Sequence, residues 1–278
     1  MGFSQLGLTP IVEIPYAKYL DCGADMFYEI AVMNWLSAGK RPNGMVVRLQ
    51  GFDRGLFGGN FHTHNMLSHM PPGVDVVCFS NGEDYVRGFR HCIAQAKAGR
   101  VVMSVDCTNL LNKRHLHGKD RGWERAYPAL DDEHYAPTMM TFDDIRRYGT
   151  TGKLAVVTYG NGVVTALEAR KMLAESSAIA SQDEIDILDC PYLSGVPEGL
   201  KEVIGQYDKI LFADICKEGP GSSVLSSTMS SLWSEGLLVG DWEMVAAPRT
   251  YNPLGNMSTF LNADDVVAAC QKLLSRSK

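Results

Sequence analysis

The sequence lacks most of the features that assign a chain to a class of partner on sight. It has no run approaching the ~18 consecutive apolar residues of a bilayer span, and Met1 to Gln5 shows neither the basic nor the apolar region of a secretory signal. Basic residues are outnumbered, 26 Lys and Arg against 32 Asp and Glu, for a net charge of −6. That balance gives no electrostatic reason to expect nucleic acid or an anionic membrane as partner. None of the seven cysteines forms a C-x-x-C pair. Several sit in apolar runs, as in Val76-Val77-Cys78-Phe79, so they read as buried thiols of a reducing compartment. Gly-Lys-Ser/Thr and G-x-G-x-x-G are both absent, which leaves no basis for a P-loop or a dinucleotide fingerprint. Repeats and low-complexity segments are missing as well.

What is present is a long α/β pattern. With 278 residues and 45% apolar content, there is room for two domains at roughly 100 to 200 residues each, and apolar surface for a core in both. From residue 10, short apolar runs alternate with longer segments of 3.6-residue period, the signature of βα units around mostly parallel sheets. Strands are predicted near 10 to 15, 45 to 50, 74 to 79 and 100 to 106, with helices near 23 to 37 and 82 to 97. Residues 107 to 150 break the rhythm with Pro128, Pro137 and the acidic run Asp131 to Glu133, and read as a linker. In the second series, strands near 154 to 159, 185 to 190, 209 to 215 and 243 to 247 alternate with helices near 163 to 175, 197 to 206, 222 to 235 and 263 to 275. Asn262 is the expected N-cap of the last helix, with Asp264 and Asp265 where the helix dipole favours acids. The expected division is a first domain over 1 to 115, a linker over 116 to 150 and a second domain over 151 to 278. The first series opens in mid-pattern, as a domain without its N-terminal βα elements would.

The most informative stretch runs from Gly55 to Asn65, where paired glycines and two histidines, His62 and His64, follow directly on an apolar strand. A glycine-rich strand exit is where an α/β protein presents polar side chains to a ligand. His62 and His64 make an H-x-H pair, a spacing repeated by His115 and His117. No nearby Asp, Glu or Cys completes a set of three ligands, so no metal is expected on this chain. Arg48, inside an apolar strand, and Glu13, between Val12 and Ile14, need partners, because an isolated buried charge is costly. A bridge from Arg48 to a carboxylate of the protein is the expected solution, a substrate carboxylate the alternative.

Five segments, taken in order, resemble one family. The run Thr9-Pro10-Ile11-Val12-Glu13-Ile14-Pro15-Tyr16-Ala17-Lys18-Tyr19 is similar to the R-P-[IV]-[VA]-E-[IF]-Q-F-A-D-[YF] segment of the β subunits of 2-oxo acid dehydrogenase E1 components, thiamine-diphosphate enzymes related to transketolase. Phe61-His62-Thr63-His64-Asn65 resembles their [YQ]-H-S-Q-S. Pro72-Gly73-Val74-Asp75-Val76-Val77 resembles their P-G-[LI]-K-V-V. The run from Gly152 to Gly160 resembles the G-x-D-[VL]-T-[IL]-V-[TA]-[YW]-G that opens their C-terminal domain, and Ile185 to Asp189 stands where they have [CV]-E-V-I-D-L.

The resemblance implies a pyrimidine-binding domain of a thiamine-diphosphate fold followed by a transketolase C-terminal domain. It implies oxidative decarboxylation of a 2-oxo acid with acyl transfer to a lipoyl group. Tyr19 would stack on the aminopyrimidine ring, with Tyr16 beside it in the cofactor site. His62 would face the thiazolium end as the catalytic imidazole, able to give or take a proton near neutral pH. The diphosphate and its Mg²⁺ would be held by an E1α-like partner chain or domain. The lipoyl-bearing E2 component would be the acyl acceptor, and a homodimer the simplest assembly. The implied compartment is the cytoplasm or the mitochondrial matrix.

Departures from the pattern point to alternatives. The cofactor-activating glutamate of the family would fall upstream of Met1, Pro15 stands for a glutamine, Lys18 for an aspartate, and Asp214-Ile215-Cys216-Lys217 replaces a HEAP-like segment. A transketolase-like transferase is one alternative, which would want basic residues at its site entrance. A non-catalytic assembly or binding subunit is the other, favoured by the missing glutamate, Pro15 and Lys18.

Overall fold

The computed structural model describes residues 2–52, 54, 72–129, 139–150, 152–219, 223–250 and 260–276. Among them the chain forms a short helix α1 (Gly2–Gln5), then β1 (Ile11–Ile14), a 3-10 turn (Ala17–Gly23), α2 (Ala24–Leu36), β2 (Met45–Gln50), β3 (Val74–Val77), α3 (Gly82–Lys97) and β4 (Val101–Asp106). After a long connection come β5 (Arg146–Tyr148), β6 (Leu154–Thr158), α4 (Asn161–Glu175), β7 (Ile185–Asp189), α5 (Glu198–Ile204), β8 (Lys209–Lys217), α6 (Leu225–Ser234), β9 (Asp241–Ala247) and α7 (Ala263–Leu274). These elements build two sheets. The first is all parallel in the order β1-β2-β4-β3, and the second runs β5-β7-β6-β8-β9, parallel except for β5. The α/β class with two mostly parallel sheets is therefore what the sequence pattern indicates.

Alternation along the strands of the first sheet sends side chains to two cores. Met45, Val47, Leu49, Val76, Met103 and Val105 join Phe27 and Ala31 of α2 in the larger cluster. Val46, Val77 and Val102 face Cys92 and Ala96 of α3 on the opposite side. The start of α3 is fixed by Asn81, whose side chain accepts from the Asp84 N–H at 3.0 Å, with Glu83 and Asp84 in the first turn. Asn262 stands at the N-cap of α7, its backbone N–H donating to the Asp265 carboxylate at 2.8 Å.

The two sheets are stitched together by backbone. Residues that follow β7 run antiparallel along the outer edge of β3: Cys78 N–H donates to Pro191 C=O at 2.8 Å and Leu193 N–H to Val76 C=O at 2.8 Å. An edge that would otherwise expose unpaired peptide groups is closed in this way.

Three local expectations differ from the structure. β5 rises from the stretch that reads as a linker, because Arg146-Arg147-Tyr148 shows no apolar alternation to mark a strand; the two arginines are held by Asp84 and Asp186 instead. Cys22 is exposed while the other six cysteines are buried, since it lies on the outer side of the 3-10 turn rather than in a strand. Glu13 is half exposed, with 54% of its side chain accessible, because β1 is an edge strand of the first sheet. No helix among the described residues is long and apolar enough to cross a membrane.

Candidate functional site

In a parallel sheet the carboxyl ends of all strands open on the same side, which is where ligands bind in open α/β folds. In the first sheet, β1 is followed by Pro15 and Tyr16, and the chain then turns through Ala17–Gly23. Buried Ala17 and Leu20 anchor that turn, and the Tyr19 N–H closes it on the Tyr16 carbonyl at 2.9 Å. The two tyrosine rings meet edge to face at 5.5 Å between centroids. Tyr19 keeps 44% of its surface exposed, so an aromatic side chain on a hydrogen-bonded turn stands at the edge of the sheet.

A charged row crosses the sheet next to it. Register places Glu13 opposite Arg48, and Arg48 opposite Ser104. Arg48 donates from Nε at 3.1 Å and Nη2 at 2.6 Å to Asp106 Oδ2, and reaches Glu13 Oε2 from Nη1 at 3.5 Å. The expected bridge from Arg48 to a carboxylate is thus present. Asp106 also accepts from Ser104 Oγ at 3.1 Å and from the Tyr85 hydroxyl at 3.4 Å. Burial pushes the Asp106 carboxyl up against the pull of Arg48. Burial and the Asp106 charge push the Tyr85 phenol up to about 12, so it stays a neutral donor at physiological pH.

A cavity of about 610 Å³ opens at the carboxyl ends of β3 and β4, beside the start of α3. Phe79, Tyr85 and Trp123 form its aromatic wall, with Cys107 and Leu110 beneath. Trp123 is fixed by its indole N–H donating to the Ser80 carbonyl at 3.3 Å and by stacking on Tyr148 at 6.1 Å. At the junction with the second sheet, the Ser80 hydroxyl donates to the Asp189 carboxylate. Asp189 is fully buried, and its Oδ1 has no partner among the described residues. Burial, opposed by the Ser80 bond, drives its pKa well above the ordinary carboxylate range.

Of the residues singled out in the sequence, Tyr16 and Tyr19 come together, and Arg48 joins Glu13. His62, His64 and the glycine-rich strand exit lie outside the described residues. The Nδ1 atom of His115 accepts from the Arg121 N–H at 2.8 Å, and among the described residues no three His, Cys, Asp or Glu side chains are grouped to hold a metal ion. Sequence reasoning passed over Asp106, Tyr85, Trp123 and Asp189. The available signal was an acid ending each of two apolar strands, Asp106 after Val105 and Asp189 after Leu188, where a polar side chain reaches the mouth of a parallel sheet.

Comparison with solved structures then identifies the architecture. All of this chain superposes on 79% of a structure described as a split-gene transketolase, inactive β4 tetramer, with a TM-score of 0.64 and 18% identity. The fold is transketolase-like. No family model matches the sequence, and no curated protein matches it.

Proposed function

We propose that this chain forms one wall of a thiamine-diphosphate site, as the β-type part of a 2-oxo acid dehydrogenase E1 component. The observation that carries the reading is Tyr19, exposed on a 3-10 turn at the carboxyl end of β1 in a transketolase-like fold. The residues present fit the ring end of the cofactor: a planar heterocycle can stack on a tyrosine braced edge-on by Tyr16. In this reading the diphosphate and its Mg²⁺ are held by an E1α-like partner.

When bound, thiamine diphosphate supplies the carbanion chemistry by which a 2-oxo acid is decarboxylated. This chain's part is positional. Tyr19 and Tyr16 hold the ring, and His62 serves as the imidazole that moves a proton during acyl transfer to the lipoyl group of an E2 component. In the same proposal residues 1 to 115 are the pyrimidine-binding domain, 116 to 150 the connection and 151 to 278 a C-terminal domain through which a homodimer forms.

A second reading is favoured by the description of the solved structure as an inactive tetramer of β chains: a transketolase-like subunit that assembles without turning over. Tagging the chain in its native source, purifying the assembly and measuring released thiamine diphosphate as thiochrome separates the readings. Cofactor together with 2-oxo acid-dependent acylation of lipoamide supports the E1 reading. Cofactor with ketol transfer from a ketose phosphate supports a transketolase. An assembly free of cofactor is left with the structural role.

A further inference from the structure

We propose that the cavity between the ends of β3 and β4 binds a small organic anion with a flat, apolar body. Its wall and its rim have different chemistry. Phe79, Tyr85 and Trp123 line a wall suited to an apolar ligand body, the Trp123 ring being itself held between Tyr148 and Arg125. Among the described residues the rim carries four cations, Lys113, Arg114, Arg121 and Arg125, against one rim carboxylate, Glu124. The remaining acid of the lining, Asp106, is taken up by Arg48 at 2.6 Å.

In a chain of net charge −6, such a concentration of positive charge at a cavity mouth runs against the average surface, and it focuses anions there. The cations are not equally engaged. Arg121 is paired with Glu124 at 2.6 Å. Arg125 lies over the Trp123 ring at 5.2 Å and donates to the carbonyls of Gly122 and Glu124 at 3.1 and 2.9 Å. Lys113 and Arg114 form no contact ion pair among the described residues, although the Arg114 charge acts on Glu124 from farther off. Two cations beside an aromatic wall are the donor set for a carboxylate or a phosphate ester, whose charge-assisted bonds are the strong ones. A volume of about 610 Å³ falls within the range typical of small-molecule sites, roughly 300 to 1,000 Å³.

The site does not depend on the thiamine-diphosphate reading. Tyr16 and Tyr19 follow β1 at one edge of the sheet, while the cavity is at β4 and β3, with β2 between β1 and β4.

The test is calorimetric titration of the full chain with four probes: 1-naphthyl phosphate, 1-naphthoate, the neutral 1-naphthalenemethanol and inorganic phosphate. One naphthyl anion is expected per chain, with the neutral alcohol and inorganic phosphate each at least about tenfold weaker. Lys113→Ala with Arg114→Ala should weaken both naphthyl anions by about tenfold or more. Lys40→Ala with Arg41→Ala, which removes two exposed cations elsewhere, should change affinity by less than about twofold. Equal binding of the neutral alcohol would reduce the cavity to an apolar pocket. Equal binding of inorganic phosphate would reduce it to a charged patch. Equal effects of the two double variants, absence of binding at millimolar probe, or displacement of the probe by thiamine diphosphate would each overturn the inference.

Discussion

The sulfur atoms of Cys78 and Cys107 lie 3.6 Å apart at the carboxyl ends of the neighbouring strands β3 and β4. Gly160, at the entry to α4, packs on both: a Cβ placed there would stand 2.6 Å from the Cys78 sulfur and 3.1 Å from the Cys107 sulfur. The contact joins the two sheets, and it favours glycine because L side chains rarely adopt its backbone pair of φ +52° and ψ −132° and because a Cβ would press on the Cys78 sulfur.

Gly160→Ala is therefore expected to cost about 2 to 4 kcal/mol, from the backbone conformation together with overpacking. Gly82→Ala makes a matched control, because a Cβ at Gly82 meets nothing within 4 Å; it should be neutral or stabilise by about 0.5 kcal/mol. Urea denaturation of the two variants checks both. A Gly160 variant as stable as the parent would show that the two sheets do not meet at this point.

Removing Arg48 leaves Asp106 buried without its cation. Arg48→Ala should lower stability at pH 7 by about 2 to 4 kcal/mol, the guanidinium being partly exposed. Burial already holds the Asp106 pKa up, and loss of Arg48 raises it further. The variant should recover part of the deficit as pH falls toward 5 and the carboxyl takes up a proton. A deficit that is constant with pH would assign the cost to lost packing instead.

Asp189 gives the clearest dependence on pH. Its folded pKa lies well above the unfolded value because the carboxyl is fully buried. The stability it contributes is complete below the unfolded pKa near 3.9, and is lost as pH rises toward the folded value, at up to about 1.4 kcal/mol per unit. Asp189→Asn cannot titrate, so the variant should gain on the parent between pH 5 and pH 8. Parallel stability curves for the two proteins over that range would contradict this placement of Asp189.

Much of the architecture could be read because it is written in local patterns. β2 is a run of Met, Val and Leu with sharp ends, and α7 combines an Asn262 cap with one apolar stripe, so both fall where their residues indicate. β5 is invisible by the same logic: Arg-Arg-Tyr has no strand period, and it pairs with β7 because distant carboxylates at Asp84 and Asp186 receive its arginines. The site shows the same division. Arg48 announces a partner by being charged in an apolar strand, whereas the identity of that partner, 58 residues away, follows only from the order of the strands. The cationic rim of the cavity is equally illegible, since Lys113, Arg114, Arg121 and Arg125 look like an ordinary polar connection until the fold sets them beside Trp123.

In the proposed function Tyr19 holds the ring of thiamine diphosphate in a site shared with a partner. The most direct test is the cofactor content of the native assembly carrying Tyr19→Phe or Tyr19→Ala. Stacking needs the ring and not the hydroxyl, so the phenylalanine variant should retain full thiochrome signal while the alanine variant loses about tenfold or more in cofactor affinity. Thiamine diphosphate retained equally in both variants, or absent from the assembly of the parent chain, would contradict it.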